Sequence, residues 1–260
     1  MGVSNGGTGN AHGGSVIDLF LPQLGRDATW RTLSAHVWCI RRGGNTGTQA
    51  PMGAQGNSGG GNYGLNLRET QTGPWNRAEF VQSGAQRNAQ IASAQISASD
   101  WTSWGATLNV SNGEIRNYID GVEVALATSV AVDVVSTQTQ AGLRIFGRMN
   151  GTNPTESFGL WDIAEIAFWH EELTLADMQS LAGGTPANQV GTPQAYYPMT
   201  SSTDVADAMG NYADIAYQGT ISNSATHPPI SGGPPVGVPA RTLIEDANVL
   251  NKQLISRPLQ

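Results

Sequence analysis

The residues that could do chemistry in this chain are few. Glycoside hydrolysis needs two carboxylates about 5 to 10 Å apart, and the nearest pair by sequence is Asp162 and Glu165, with Glu171 and Glu172 beyond. Side chains alternate across a strand, so this spacing of three puts Asp162 and Glu165 on opposite faces, and Glu171-Glu172 fall in a turn. The pattern argues against an enzyme. His12, His36, His170 and His227 have no neighbours at metal-ligand spacing, and the lone Cys39 reads as a small buried hydrophobe that can form no disulfide within the chain. No metal and no cofactor are expected. Asp100, Asp120 and Asp133 could donate to calcium, but no D-x-D-x-D-G loop exists and Asp120 reads as a turn residue. The glycine-rich run from Gly43 to Gly61 lacks the lysine and helix of a phosphate-binding loop, and no serine or threonine has the partners of a triad. Recognition remains: Trp75, Asn76 and Arg77 after Gly73-Pro74, and Trp101 with Trp104, could contact a glycan, against the commoner role of tryptophan in packing.

The elements that must position these residues are mostly strands. A chain of 260 residues with 39% hydrophobic content buries one large core. Thirty-three glycines, only 13% charged residues and abundant Asn, Gln, Ser and Thr fit short strands joined by polar turns rather than helices. A net charge of -7 supplies no basic field for a nucleic-acid backbone. No segment is apolar for long enough to span a bilayer. The first residues lack the basic and apolar regions of a secretory signal.

Leu160 to Trp169 predicts a central strand buried on both faces, with Leu160, Asp162, Ala164, Ile166 and Phe168 on one and Trp161, Ile163, Glu165, Ala167 and Trp169 on the other. A helix over Leu175 to Ala182 follows, started by a capping box of Thr174 and Asp177 and ended by a left-handed Gly183. Val16 to Phe20, Trp30 to Ile40, Tyr63 to Arg68 and Glu79 to Gln82 read as strands, and Asp120-Gly121 as a two-residue hairpin turn. Residues 43 to 62 and 72 to 76 read as loops. Residues 1 to 15 form a Gly/Asn-rich arm too polar to order itself. Residues 231 to 260 form a second arm: a Pro/Gly linker, then a T-x-x-E start at Thr242 and an apolar stripe of Leu243, Ala247, Leu250 and Leu254. The domain between the arms runs from 16 to 230.

Several of these passages resemble laminin G-like domains of the concanavalin A-like superfamily. Glu165 to Trp169, with Leu173, Thr174, Asp177, Met178 and Leu181, is similar to that family's closing strand and helix. Trp104 to Leu108, followed by Arg116 to Ala125, is similar to its central hairpin, and Leu143 to Gly147 to the next strand. Tyr196 to Met199, Asp207 to Asn211 and His227-Pro228-Pro229 resemble its outer strands. The resemblance implies an all-β jelly-roll sandwich with one short helix. Ala164 stands where the family often has Asp, so the resemblance implies no calcium or acid chemistry there.

Two functions are compatible with this reading. The first is a non-enzymatic structural protein of a virus particle, a bacteriophage capsid decoration or outer-surface protein made in the host cytoplasm without a signal peptide. Its arms would hold capsid or other virion proteins and neighbouring copies through Leu243, Leu250, Leu254 and Ile255. The alternative is a carbohydrate-binding or adhesion module, with Trp75, Asn76 and Arg77 contacting cell-surface glycans. Neither involves nucleic acid or membrane insertion.

Overall fold

In a computed structural model, the described residues are 3–4, 19–20, 32–43, 48–58, 61–70, 75–82, 85–92, 96–109, 111–127, 140–145, 160–201, 206–210 and 222–231. In chain order the strands are β1 (Val3–Ser4), β2 (Leu19–Phe20), β3 (Thr32–Gly43), β4 (Thr48–Ser58), β5 (Gly61–Thr70), β6 (Trp75–Gln82) and β7 (Ala85–Ala92). They continue as β8 (Thr102–Asn109), β9 (Glu114–Ile119), β10 (Val122–Ala127), β11 (Gln140–Ile145) and β12 (Leu160–Trp169). The helix α1 (Leu175–Ala182) is followed by a single helical turn at Ala187–Gln189, then β13 (Ala195–Tyr197) and β14 (Ser222–Asn223).

Two antiparallel sheets form the sandwich. The first runs β10-β9-β8-β3-β12-β1-β14, with β13 also on β12; the second runs β2-β11-β4-β5-β6-β7. The expected all-β sandwich with one short helix is what the chain forms. Between the sheets lies a core of alternate residues, including Leu33, Val37, Trp104, Leu108, Ile115, Trp161 and Ile163 from the first sheet and Met52, Leu65, Leu67 and Ala89 from the second. Trp104 Nε1 donates to Asn117 Oδ1 at 2.8 Å, and Asn117 Nδ2 donates to the Ala89 carbonyl at 3.3 Å, which ties β8 and β9 across the core to β7.

The first sheet is also covered on its other side. Tyr118, Ala167, Trp169, Leu173, Met178, Leu181, Val190 and Tyr196 form a second core beneath α1. Met178 packs onto Gly105 of β8, where a Cβ would stand 2.6 Å from its sulfur.

Several expectations change at this level. Residues 48 to 58, expected within a loop, are β4, in the interior of the second sheet. Its small residues hid an alternation in which Met52 and Ala54 pair with Leu67 and Leu65 on the core side. Pro51, which has no N–H to donate, sits at the irregularity between Gln49 and Met52. β7 is a strand that the sequence pattern does not predict, and β6 begins at Trp75 rather than Glu79. Within the expected N-terminal arm, Val3–Ser4 joins the first sheet, opposite Ile163 and Asp162 on one side and Asn223 and Ser222 on the other. Thr174 and Asp177 form the expected capping box, but Gly183 stays right-handed at φ -75°. The left-handed residue is Gly184, at φ +89°.

The central strand departs from simple alternation. Ala164 pairs with Trp38 and Ala167 with His36, so Glu165 and Ile166 together oppose Val37 alone. This is a β-bulge, and Glu165 takes the left-handed conformation at φ +53°. Trp161 and Ile163 before it, and Ile166 and Phe168 after it, all enter the inter-sheet core. Ala167 and Trp169 enter the second core. The face assignment expected from an unbroken period of two is therefore corrected: the inserted residue reverses the phase halfway along.

Gly184 makes a testable point of closure. A Cβ there would collide with the Pro229 carbonyl, and Ser231 N donates to the Gly184 carbonyl at 2.7 Å. Gly184→Ala is expected to lower stability by at least about 1–3 kcal/mol, the cost of a strained left-handed residue, seen as a lower denaturant midpoint with an unchanged slope.

Candidate functional site

The first sheet carries the polar groups that stand out in the sequence, and the fold uses them internally. The bulge brings Asp162 and Glu165 to the same side of β12, against the expectation of opposite faces. Each is committed. Asp162 Oδ2 accepts from Arg42 Nη2 at 2.6 Å, Arg42 Nε at 2.9 Å and Ser224 Oγ at 2.6 Å. Glu165, 3% exposed, accepts from the Tyr196 hydroxyl at 2.7 Å and the Ala187 N–H at 3.5 Å. Asp162 thus fastens the first sheet to the β14 region, and Glu165 fastens it to the turn after α1. Glu171 accepts from Thr192 N and Glu172 from Asn109 Nδ2, so both carboxylates fix loops.

The remaining single-residue candidates are also structural. His36 is fully buried, with Nε2 2.8 Å from Ser103 Oγ. Burial pushes its imidazole down to about 4, and the Glu165 backbone, which favours the charged form, offsets only part of this. Cys39 is buried. Trp104 lies in the core, whereas Trp101 is half-buried and donates from Nε1 to Thr226 Oγ1 at 3.0 Å. Asp120, at φ +49° in the predicted hairpin turn, accepts from Ser103 N at 2.9 Å, and burial raises its pKa. Asp100 accepts from Ser97 and Ser99 within one exposed loop. Among the described residues, no group of three His, Cys, Asp or Glu is arranged to hold a metal ion. None of the described helices is long and apolar enough to cross a membrane. Asp133, His12 and the expected assembly anchors Leu243, Leu250, Leu254 and Ile255 lie outside the described residues.

The second sheet is different. Its substantial contacts with other described elements are all with the first sheet, through β3, β8, β9 and β10. Its pairing registers define the two faces. One row, Ile145, Met52, Leu67, Ala78 and Ala89, runs across β11, β4, β5, β6 and β7 and is wholly apolar, on the core side. The adjacent row, Arg144, Gly53, Asn66, Glu79 and Asn88, occupies the outer face. The next outer rows are Gly142, Gln55, Gly64, Val81 and Gln86 on one side, and Arg68, Arg77 and Gln90 on the other. Amides, arginines, glycines and Glu79 thus hold most of the alternate positions, with Val81 among them.

Register also separates the expected trio. Trp75, opposite Thr70 and Ala92, and Arg77, opposite Arg68 and Gln90, hold outer-face positions. Asn76, opposite Glu69 and Ile91, holds a core-side position. All three belong to β6 rather than to a loop. Sequence reasoning missed Asn66, Asn88, Gln90, Gln55 and Arg68. The signal was there in Gln86-Arg87-Asn88-Ala89-Gln90-Ile91, where amides alternate, but Ala and Arg at the intervening positions weakened the apolar half of the pattern.

A family model described as the concanavalin A-like lectin/glucanases superfamily matches residues 19–179. No curated protein matches the sequence. Among solved structures, the chain is similar to a native heptameric SAP-like pentraxin from Limulus polyphemus, at 12% identity over 86% of this chain and 95% of that one, with a TM-score of 0.55. It is also similar to the CBM40 of the Ruminococcus gnavus IT-sialidase bound to alpha2,3 sialyllactose, at 14% identity over 65% and 93%, with a TM-score of 0.51. A Bacteroides ovatus protein described as carbohydrate binding matches at 15% identity over 82% of this chain and 60% of that one, with a TM-score of 0.55. At these identities the likeness is one of fold.

Two outcomes test the structural roles. Tyr196→Phe leaves the buried Glu165 short of a donor and is expected to cost about 2 kcal/mol in chemical denaturation. His36 is neutral when folded, whereas the unfolded chain takes a proton near 6.5, so its contribution is intact above pH 6.5 and is lost as pH falls towards about 4. The full loss is about 3 kcal/mol, at about 1.4 kcal/mol for each tenfold change in proton affinity. His36→Gln is expected to remove that part of the acid dependence in stability measured at stepped pH.

Proposed function

Because the chain belongs to the concanavalin A-like lectin/glucanases superfamily, we propose that it is a non-catalytic carbohydrate-binding module that receives glycan on the outer face of its six-stranded sheet. The observation that carries this reading is the outer row of Arg144, Gly53, Asn66, Glu79 and Asn88 back to back with a wholly apolar row. Sugar hydroxyls both donate and accept, and amides do the same, so a sheet that presents several of them at fixed strand spacing offers paired hydrogen bonds at little cost in ordering. Glycines at Gly53, Gly64 and Gly142 leave room for a ligand to approach the backbone. Trp75 holds a position on the same face by register, and an indole is a residue type suited to the apolar side of a pyranose ring.

The non-catalytic part of the reading is supported by the commitments of Asp162 Oδ2 to Arg42 and Ser224 and of Glu165 Oε2 to Tyr196 and Ala187. Two of the similar structures are, by their descriptions, a sialidase carbohydrate-binding module with bound sialyllactose and a carbohydrate-binding protein. Assembly on a bacteriophage particle would depend on anchors outside the described residues, and nothing in the described sandwich favours it.

A glycan array probed with the full chain tests the proposal. Binding to a subset of glycans is expected, with affinity falling about tenfold or more in Trp75→Ala and in Asn88→Ala while far-UV circular dichroism stays unchanged. Binding that survives both substitutions would place the ligand elsewhere, and an array without signal would remove the carbohydrate reading.

A further inference from the structure

The tip of the β8–β9 hairpin carries an arrangement that sugar binding does not use. Asn109 pairs with Glu114, and Asn112 and Gly113 lie in the loop between them. Asn109 Oδ1 accepts from Ser111 N at 3.0 Å and from Asn112 N at 3.4 Å, which fixes the turn. Asn112 is exposed, and Gly113 is left-handed at φ +72°. The Asn112 side chain is held at both polar atoms by the residue two positions on: Oδ1 accepts from Glu114 N at 3.2 Å, and Nδ2 donates to Glu114 Oε2 at 3.2 Å. The first of these bonds closes a ring that contains the Gly113 nitrogen, so the carboxamide carbon Cγ is kept on the side of the chain where that nitrogen lies.

We propose that Asn112-Gly113 is a self-modification site, at which the hairpin turns asparagine into aspartate and isoaspartate. The Gly113 nitrogen attacks Asn112 Cγ and loses its proton, and the Cγ–Nδ2 bond breaks, with Nδ2 leaving as ammonia. Water then opens the cyclic imide. Opening at Cγ gives aspartate; opening at the main-chain carbonyl of Asn112 gives isoaspartate, whose chain runs through Cβ. One water is consumed and one ammonia released, with no oxidant or reductant. Each contact has a part in this step. The Glu114 N–H donates to Oδ1, where negative charge develops as the nitrogen attacks. Nδ2 must take up a proton to leave, and Glu114 Oε2 faces the positive charge that it then acquires. Glycine at position 113 presents no side chain against the attack. The nucleophile belongs to the chain itself, so the burial of Gly113 is no obstacle, and the exposed carboxamide is open to the water that removes the proton. The product carboxylate replaces an amide donor beside Glu114 Oε2, which also accepts from Arg116 Nη2 at 2.6 Å, and adds one negative charge to the -7 of the chain.

Peptide mapping tests the proposal. The full chain is incubated at neutral pH, folded or in urea, then digested and followed by mass spectrometry, with isoaspartate identified by electron-transfer fragmentation. Asn5-Gly6 and Asn150-Gly151, outside the described residues, are read from separate peptides of the same digest as internal clocks. In the folded chain, residue 112 is expected to convert with time to both products. Glu114→Gln, which keeps the length of the side chain without its charge, is expected to slow this about fivefold, with the clocks unaffected. Glu123→Gln, which removes the other carboxylate on Arg116, is expected to leave the rate unchanged. In urea, where the contacts are lost, the Glu114→Gln and unsubstituted chains are expected to react alike. Asn112 that stays intact in the folded chain while it converts in urea overturns the proposal. So does a folded-state rate that Glu114→Gln leaves unchanged, or that Glu123→Gln lowers equally.

Discussion

The architecture depends on the bulge in β12. With Glu165 left-handed at φ +53°, one extra residue is accommodated opposite Val37, and the strand serves two cores in succession. Without the phase reversal, Ile166 and Phe168 would leave the inter-sheet core in which they are buried, and Ala167 and Trp169 would leave the core beneath α1. A non-glycine residue in this conformation is costly and persists only when its surroundings hold it. Here the surroundings are specific: Glu165 N donates to the Pro198 carbonyl at 3.1 Å, and the side chain accepts from Tyr196 and Ala187.

From that strand outward, the two sheets are treated differently. The central strands of the first sheet are buried on both sides, between the second sheet and a layer of α1, the turn at Ala187–Gln189 and the segment ending at Ser231. That layer is fastened by polar contacts rather than by area alone, through the Gly184 carbonyl, Asp207 and Asp162. Asp207 Oδ1 accepts from the N–H groups of Tyr196 and Met209 at 2.9 and 3.1 Å, which fixes the 206–210 turn onto β13. His36, Ser103 and Glu165 therefore sit where water is excluded, and their chemistry goes into cohesion. Among the described residues, the second sheet contributes one face to the inter-sheet core and carries mostly polar residues and glycines at the alternate positions. Polar residues there cost the fold little, which is the condition under which a binding surface can vary without loss of stability.

A rigid sheet suits the recognition proposed for it. Strands fix the backbone positions of their residues at regular spacings, so less entropy is lost on binding than from a loop. The apolar row on the core side locks the register, because a slip of one residue would exchange the two faces.

Much of the fold was legible in the sequence because it was written in local terms. The capping box of Thr174 and Asp177 and the Asp120-Gly121 turn use side chains that meet their own neighbours. The run Leu160 to Trp169 is apolar enough to demand burial on both sides. The sequence by itself determined a two-sheet sandwich and one short helix, whereas its placement of Asp162 and Glu165 on opposite faces assumed a strand without the bulge. Only the tertiary structure decided which residues share a face. The phase of β12 is set by a bulge that opposes Val37 on a distant strand, and the pairing of Arg68 with Arg77 by the register of β5 on β6. β4 shows why the rest was hidden: its Gly, Ala and Gln residues have little strand preference of their own, and it becomes a strand because β5 and β11 satisfy its backbone from both sides. Strand register leaves no local trace even between sequence neighbours such as β5 and β6, and the candidate face is made of such pairings, with β11 brought to it from further along the chain.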